Sequence, residues 1–173
     1  MITGQAGLGR TDATFDRIDS DRHIVGSAAI LRAFRHRPDS THDVLMSAHH
    51  LAGLHDRRRS LSSARREIGV SDHHVVACLH KIDEIDAART ELVLEIDRHV
   101  SRTASGRPLL LHTETVGAVI DRLAQLWVAL NSVVASPDSE AAHRSSCAVA
   151  ELAHAYDDLI GEISSGRRGV PQW

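Results

Sequence analysis

Apolar positions recur along this chain at helical spacing, and no stretch alternates with the period of two that a half-buried strand requires. From Asp21 to His36 the repeat is Ile24, Ala28, Leu31 and Phe34, closed by Pro38. Thr41 is placed to cap a second helix, with Val44, Ala48 and Leu51 on its inner face, running to Arg58. A short helical piece covers Ser60 to Ile68 and stops at Gly69. Ser71 caps a long helix to Ser101, whose stripe is Val75, Cys78, Ile82, Ile85, Leu92, Ile96 and Val100. After a Ser-Gly-Arg-Pro break at 105–108, Thr113 is read as the cap of a helix striped by Val116, Ile120, Leu123, Trp127, Leu130 and Val134. The last helix begins at Asp138 or Ser139 and ends at Gly166.

These elements predict an all-α fold, an antiparallel helical bundle of four main helices plus one short helix. Residues 1–20 lack periodicity and read as an irregular N-terminal arm, 21–166 as the bundle domain and 167–173 as a C-terminal tail. With aromatics at 3% of 173 residues, the core must be built from Leu, Ile, Val and Ala, which suits helix on helix. No apolar run reaches membrane-spanning length and nothing resembles a signal peptide, so the expected location is the cytoplasm, with no membrane partner. The net charge of -3 and the lack of a sustained basic block beyond Arg57-Arg58-Arg59 argue against nucleic acid. Cys78 and Cys147 sit singly among apolar helical neighbours and read as buried thiols.

Polar residues that fall on apolar stripes are the candidates for chemistry. Arg89 lies near the middle of the long helix's stripe, where an unpaired guanidinium would cost several kcal/mol; Asp86 and Glu114 are its expected partners. His55 falls with Val44, Ala48 and Leu51 in the same way, either as a core histidine bonded to a backbone carbonyl or as part of a polar pocket. Glu114 and Asp121, seven residues apart, are expected on the outer face of their helix at two turns' separation. Thirteen histidines invite a metal hypothesis, and Glu140-Ala-Ala-His143 and Glu151-Leu-Ala-His154 have di-iron spacing. Both copies lie on one helix, off its inner stripe, so no metal and no cofactor is expected. His49-His50 and His73-His74 match no zinc signature and read as solvated.

The block Leu111-His112-Thr113-Glu114-Thr115, with Gly117 and Ile120-Asp121-Arg122-Leu123, resembles the signature of domain-of-unknown-function family 4254. Leu51 to Arg58 and Lys81-Ile82-Asp83 through Asp86 to Asp97 fit two further blocks, so the resemblance covers most of the chain from about Ile30 onward; His112 stands where the family has asparagine. The resemblance implies an all-helical protein from sugar-polymer or natural-product biosynthesis. The chain is also similar in kind to subunits of the aziridine-forming enzymes of azinomycin-type pathways, in which an amine displaces an adjacent sulfate. Such a displacement needs orientation, a base and cations for the leaving anion, and no cofactor. Glu114 or His55 would be the base, Arg89 and Arg122 the anion clamp, and Asp121 and Asp86 would bind and orient. The expected partners are a small-molecule or carrier-bound substrate and another copy or a second helical subunit. The alternative is a non-catalytic helical scaffold that docks a partner chain through the Glu114 to Asp121 face.

Overall fold

The structure, a computed structural model, describes residues 24–39, 42–103, 110–134 and 139–171. Five helices account for about four-fifths of it: α1 (Ser27–Arg35), α2 (Asp43–Ala64), α3 (Asp72–Thr103), α4 (Val116–Val134) and α5 (Ser139–Ser164). The N-terminal arm, Thr41, the break at 105–108 and Asp138 lie outside the described residues. No described helix is long and apolar enough to cross a membrane.

Charge contacts between helices give their directions. Along α2 the sequence Ser47 to Arg58 meets α3 in the order Glu95 to Asp86, and along α4 Gly117 to Asp121 meets Asp97 to Arg89. The long α3 is therefore antiparallel to both α2 and α4, which run parallel to each other. Both α2 and α4 pack on α3 and on each other, while α5 covers α4, and α1 closes the bundle against α2, α4 and α5. Ile30, Leu51, Ile96, Ile120, Leu123 and Tyr156 form the fully buried centre.

Four boundaries differ from the sequence expectation. The short helix is α1, and 60–64 continues α2 without a break, because the Ser60 hydroxyl bonds back to the Asp56 carbonyl at 3.1 Å instead of capping a new turn. That helix ends near Arg65, and Gly69 follows with φ of 87° in the turn to α3. Helix α1 starts later than Asp21 because tertiary contacts hold the preceding chain extended. Tyr156 Oη donates to the Val25 carbonyl at 2.8 Å, and the Asp157 carboxylate accepts from Ser27 N and Ser27 Oγ at 2.7 and 2.6 Å. Its buried face is consequently Ser27, Ile30, Ala33 and Phe34, with Ala28 exposed.

Helix α4 is capped by Thr115, not Thr113: Thr115 Oγ1 accepts the Ala118 amide at 3.2 Å. The Gly117 amide, a second orphan donor, goes to Asp97 Oδ1 of α3 at 2.7 Å. A Cβ on Gly117 would overlap the Val93 carbonyl, so the glycine is what lets the two helices close here. Val134, the last residue of the expected stripe, is exposed. A minimal parallel pair of strands, β1 (Leu110–Leu111) with β2 (Arg168–Gly169), corrects the expectation of no strand and ties the entry of α4 to the end of α5. Cys78 is buried as expected, whereas Cys147 is exposed.

Candidate functional site

Three helices converge on one chain of charges. His55 of α2 is 5% exposed, and its Nε2 lies 2.9 Å from Asp121 Oδ1 of α4. Arg89 of α3 donates through Nε to the same oxygen at 3.0 Å and through Nη2 to Asp121 Oδ2 at 2.5 Å. The remaining guanidinium arm, Nη1, reaches Asp86 Oδ1 at 2.7 Å. Asp86 is bound in turn by Arg58 of α2, Nε at 2.8 Å and Nη2 at 3.0 Å. Helical periodicity explains the assembly, since His55 and Arg58 are three apart on α2 and Asp86 and Arg89 three apart on α3.

The network is graded in burial. Asp121 and Arg89 are 16% and 20% exposed, while Asp86 and Arg58 stand nearer the surface. Burial alone would raise the Asp121 carboxyl, but hydrogen bonds from His55 and Arg89 outweigh it and hold the group below the usual carboxylate range. Asp86 is lowered chiefly by its hydrogen bond from Arg58, with Arg89 adding to it against burial. Burial works against the Arg89 charge; Asp121 and then Asp86 overcome it and raise the guanidinium further. Asp97, outside the network, is shifted the other way, because desolvation exceeds the help from the Gly117 amide and Thr115.

Sequence reasoning placed Arg89 on the inner face with Asp86 as a partner, and both are found. It missed Asp121 as the main partner and set that residue on the outer face with Glu114. The correction has two causes: Glu114 precedes α4, and the buried side of that helix is broader than its stripe of large residues, extending to Gly117, Ala124 and Val128, with which Asp121 shares a face. Glu114 instead forms a two-pronged ion pair with Arg122 at 3.0 and 2.9 Å, with the two side chains 40% and 47% exposed. This pair shares no hydrogen bond with the network among the described residues. His55 meets a carboxylate, not a backbone carbonyl.

The His55 ring also borders a pocket of about 330 Å³ between α2 and α4, together with Arg58, Arg59, Arg66 and Gln125. Arg59 and Arg66 make no ion pair among the described residues, so the pocket carries unneutralised positive charge beside an oriented imidazole. Arg59 and Arg66 were not singled out from the sequence; Arg59 and Arg66 are seven apart on and just beyond α2, a spacing that puts them near one another. A further groove of about 530 Å³ between α2 and α3 is bordered by Arg57, Glu91, Glu95 and Arg98, and none of the five network residues borders it.

With Asp121 accepting at Nε2, the neutral ring carries its proton there and leaves the Nδ1 lone pair to take a proton. An arginine-lined recess accepts a sulfate, phosphate or carboxylate group. Among the described residues no group of three or more His, Cys, Asp and Glu side chains is arranged to hold a metal ion. Glu140, His143, Glu151 and His154 all face solvent along α5, as their positions off its inner stripe predict.

The comparisons with known proteins agree with the sequence blocks. No curated protein and no solved structure matches the chain. The family model described as "Protein of unknown function (DUF4254)" matches residues 45–171, a span that includes every residue of the charge network, and the chain belongs to that family.

Proposed function

We propose that this protein is a cofactor-independent biosynthetic enzyme, or the catalytic subunit of one, that promotes displacement or elimination of an anionic leaving group such as sulfate within a small or carrier-bound substrate. The observation that carries the reading is the buried His55, oriented by Asp121 and bordering a pocket with Arg59 and Arg66. His55 is the base in this scheme. A neighbouring amine attacks the carbon bearing the sulfate, the C–O bond breaks, and sulfate leaves with the bonding pair toward the arginines. The ammonium proton passes to His55 Nδ1. Arg89 does not touch the substrate; it fixes Asp121, and Asp121 fixes the ring. Glu114 is not assigned the role of base in this scheme, since it pairs with Arg122 and does not border the His55 pocket.

Orientation of the amine with respect to the leaving group, a positioned base and a cationic recess each lower the barrier without a metal. The test is release of sulfate from a vicinal amino sulfate, followed by ion chromatography. His55→Gln should lower the rate by about 10²-fold or more while the far-ultraviolet dichroism is retained. Release that is unchanged by His55→Gln would overturn the assignment.

A second reading, a helical subunit that docks a partner, draws on the exposed Leu110 and Leu111 of β1. Sedimentation of Leu110→Glu against the parent chain tests it; an unchanged mass that is already monomeric removes its support.

A further inference from the structure

Next to the cationic pocket lies a second recess of about 600 Å³, bordered by Phe34, Trp127, Asp56 and Asn131 among others. The two recesses share Arg59, Ser63 and Val128, so they are neighbouring parts of one groove between α2 and α4. Their chemistries differ. The first supplies His55 and three arginines. The second is walled by two aromatic rings, Phe34 and Trp127, with centroids 5.9 Å apart and planes tilted by 50°. In a chain with only 3% aromatic residues, two of them stand together at this one opening. Trp127 is part-buried although it lies on the stripe of α4, and it borders the recess in tilted contact with Phe34, so part of the indole is open to a ligand there.

We infer that the groove binds a bipartite ligand: a flat, unsaturated or aromatic body packed against Trp127, joined to a sulfate or phosphate group held by Arg59 and Arg66. The inference rests on the anion site of the proposed function and extends it to the body of the substrate. Arg59 is the charged residue among the three common to both recesses and determines where the anion ends and the ring begins. An inorganic anion occupies only the arginine end, and a neutral ring only the Trp127 end. A ligand carrying both groups gains from each without a second loss of translational freedom.

Calorimetric titration with inorganic phosphate, inorganic sulfate, phenol, phenyl phosphate and phenyl sulfate tests this on the full chain. Phenyl phosphate or phenyl sulfate should bind about tenfold more tightly than the corresponding inorganic anion, and whichever ester binds better identifies the preferred anion. Arg59→Gln should abolish most of that binding, and Trp127→Leu should remove the tenfold advantage while leaving inorganic anion binding intact. A second measurement does not depend on how Trp127→Leu folds: in the parent chain, the Trp127 indole N–H resonance should shift with the phenyl esters and not with inorganic phosphate. The resonance is assigned with Trp173→Phe, the chain having two tryptophans. Esters that bind no better than their inorganic anions, or that leave the indole signal in place, overturn the inference while the anion site stands. Absence of binding by every anion overturns both.

Discussion

Arg89 grips Asp121 across the α3–α4 interface with two nitrogens, Nε on Oδ1 at 3.0 Å and Nη2 on Oδ2 at 2.5 Å, and the same Oδ1 also receives His55. One carboxylate thus joins a guanidinium from one helix to an imidazole from another. Both side chains of the ion pair are less than about a quarter exposed, so the contact differs in kind from the surface ion pairs elsewhere on the protein.

Removing either partner alone should be costly. Arg89→Met leaves Asp121 with one donor and Asp86 with only Arg58, and we expect a loss of about 2–3 kcal/mol in urea unfolding. Asp121→Leu should cost a similar amount by leaving Arg89 with Asp86 alone and the buried His55 without its carboxylate. The double variant should be more stable than the sum of the two losses predicts, by about 1 kcal/mol or more, because neither charge is then left alone. Additive losses would show that the two side chains do not interact in solution.

Glu114→Gln and Arg122→Met should behave otherwise. Each breaks an exposed pair, and each should change stability by no more than about 0.5 kcal/mol. Unfolding several kcal/mol earlier would make that pair a structural clamp, in conflict with its exposure.

Much of this contrast was legible in the sequence, and the part that was not has a physical cause. Arg89 and His55 stood out because a polar residue on an apolar stripe must find a partner. Asp121 stood out too, but on the wrong face, because the stripe was drawn through the large apolar residues alone, whereas the buried side of α4 extends to Gly117, Ala124 and Val128. The start of α4 is set by the side chain of Thr115 and by the Asp97 carboxylate, which arrives from another helix. The start of α1 has a similar origin, as Asp157 supplies the cap from α5. Local spacing carries no record of a cap supplied across the bundle. The arginine pocket has a related origin: the run Arg57-Arg58-Arg59 carries no direction of its own, and only the packing of α2 on α4 brings Arg58 and Arg59 to a recess.

The two glycines of α2 and α4 should respond oppositely to alanine. A Cβ at Gly53 meets nothing within 4 Å, so Gly53→Ala should stabilise by about 0.5–1 kcal/mol through the lower entropy of the unfolded chain. At Gly117 it would overlap the Val93 carbonyl and come within 3.0 Å of Asp97 Oδ1, so Gly117→Ala should destabilise by about 2 kcal/mol or more. Thermal melts of the two variants check both signs.

Acid should dismantle the network. Asp121 and Asp86 have carboxyls lowered in the folded state, so the native chain binds fewer protons than the unfolded one. Their contribution is complete above the ordinary carboxylate value and disappears as pH falls through the lowered folded values. Asp97, raised by burial, acts with the opposite sign: stability gained from it is present below the ordinary value and lost as pH rises through its folded value. In Asp97→Asn, whose amide oxygen still accepts the Gly117 N–H, unfolding free energy should fall more steeply on acidification than in the parent. An unchanged acid slope would contradict the raised carboxyl.

The proposed chemistry turns on the state of one ring. In a multiple-bond ¹H–¹⁵N imidazole spectrum taken in buffer alkaline enough to keep the ring neutral, His55 should show the Nε2–H tautomer, and its Nδ1 signal should move when inorganic sulfate is added. An Nδ1–H tautomer, or an Nδ1 signal indifferent to sulfate at saturating concentration, would contradict it.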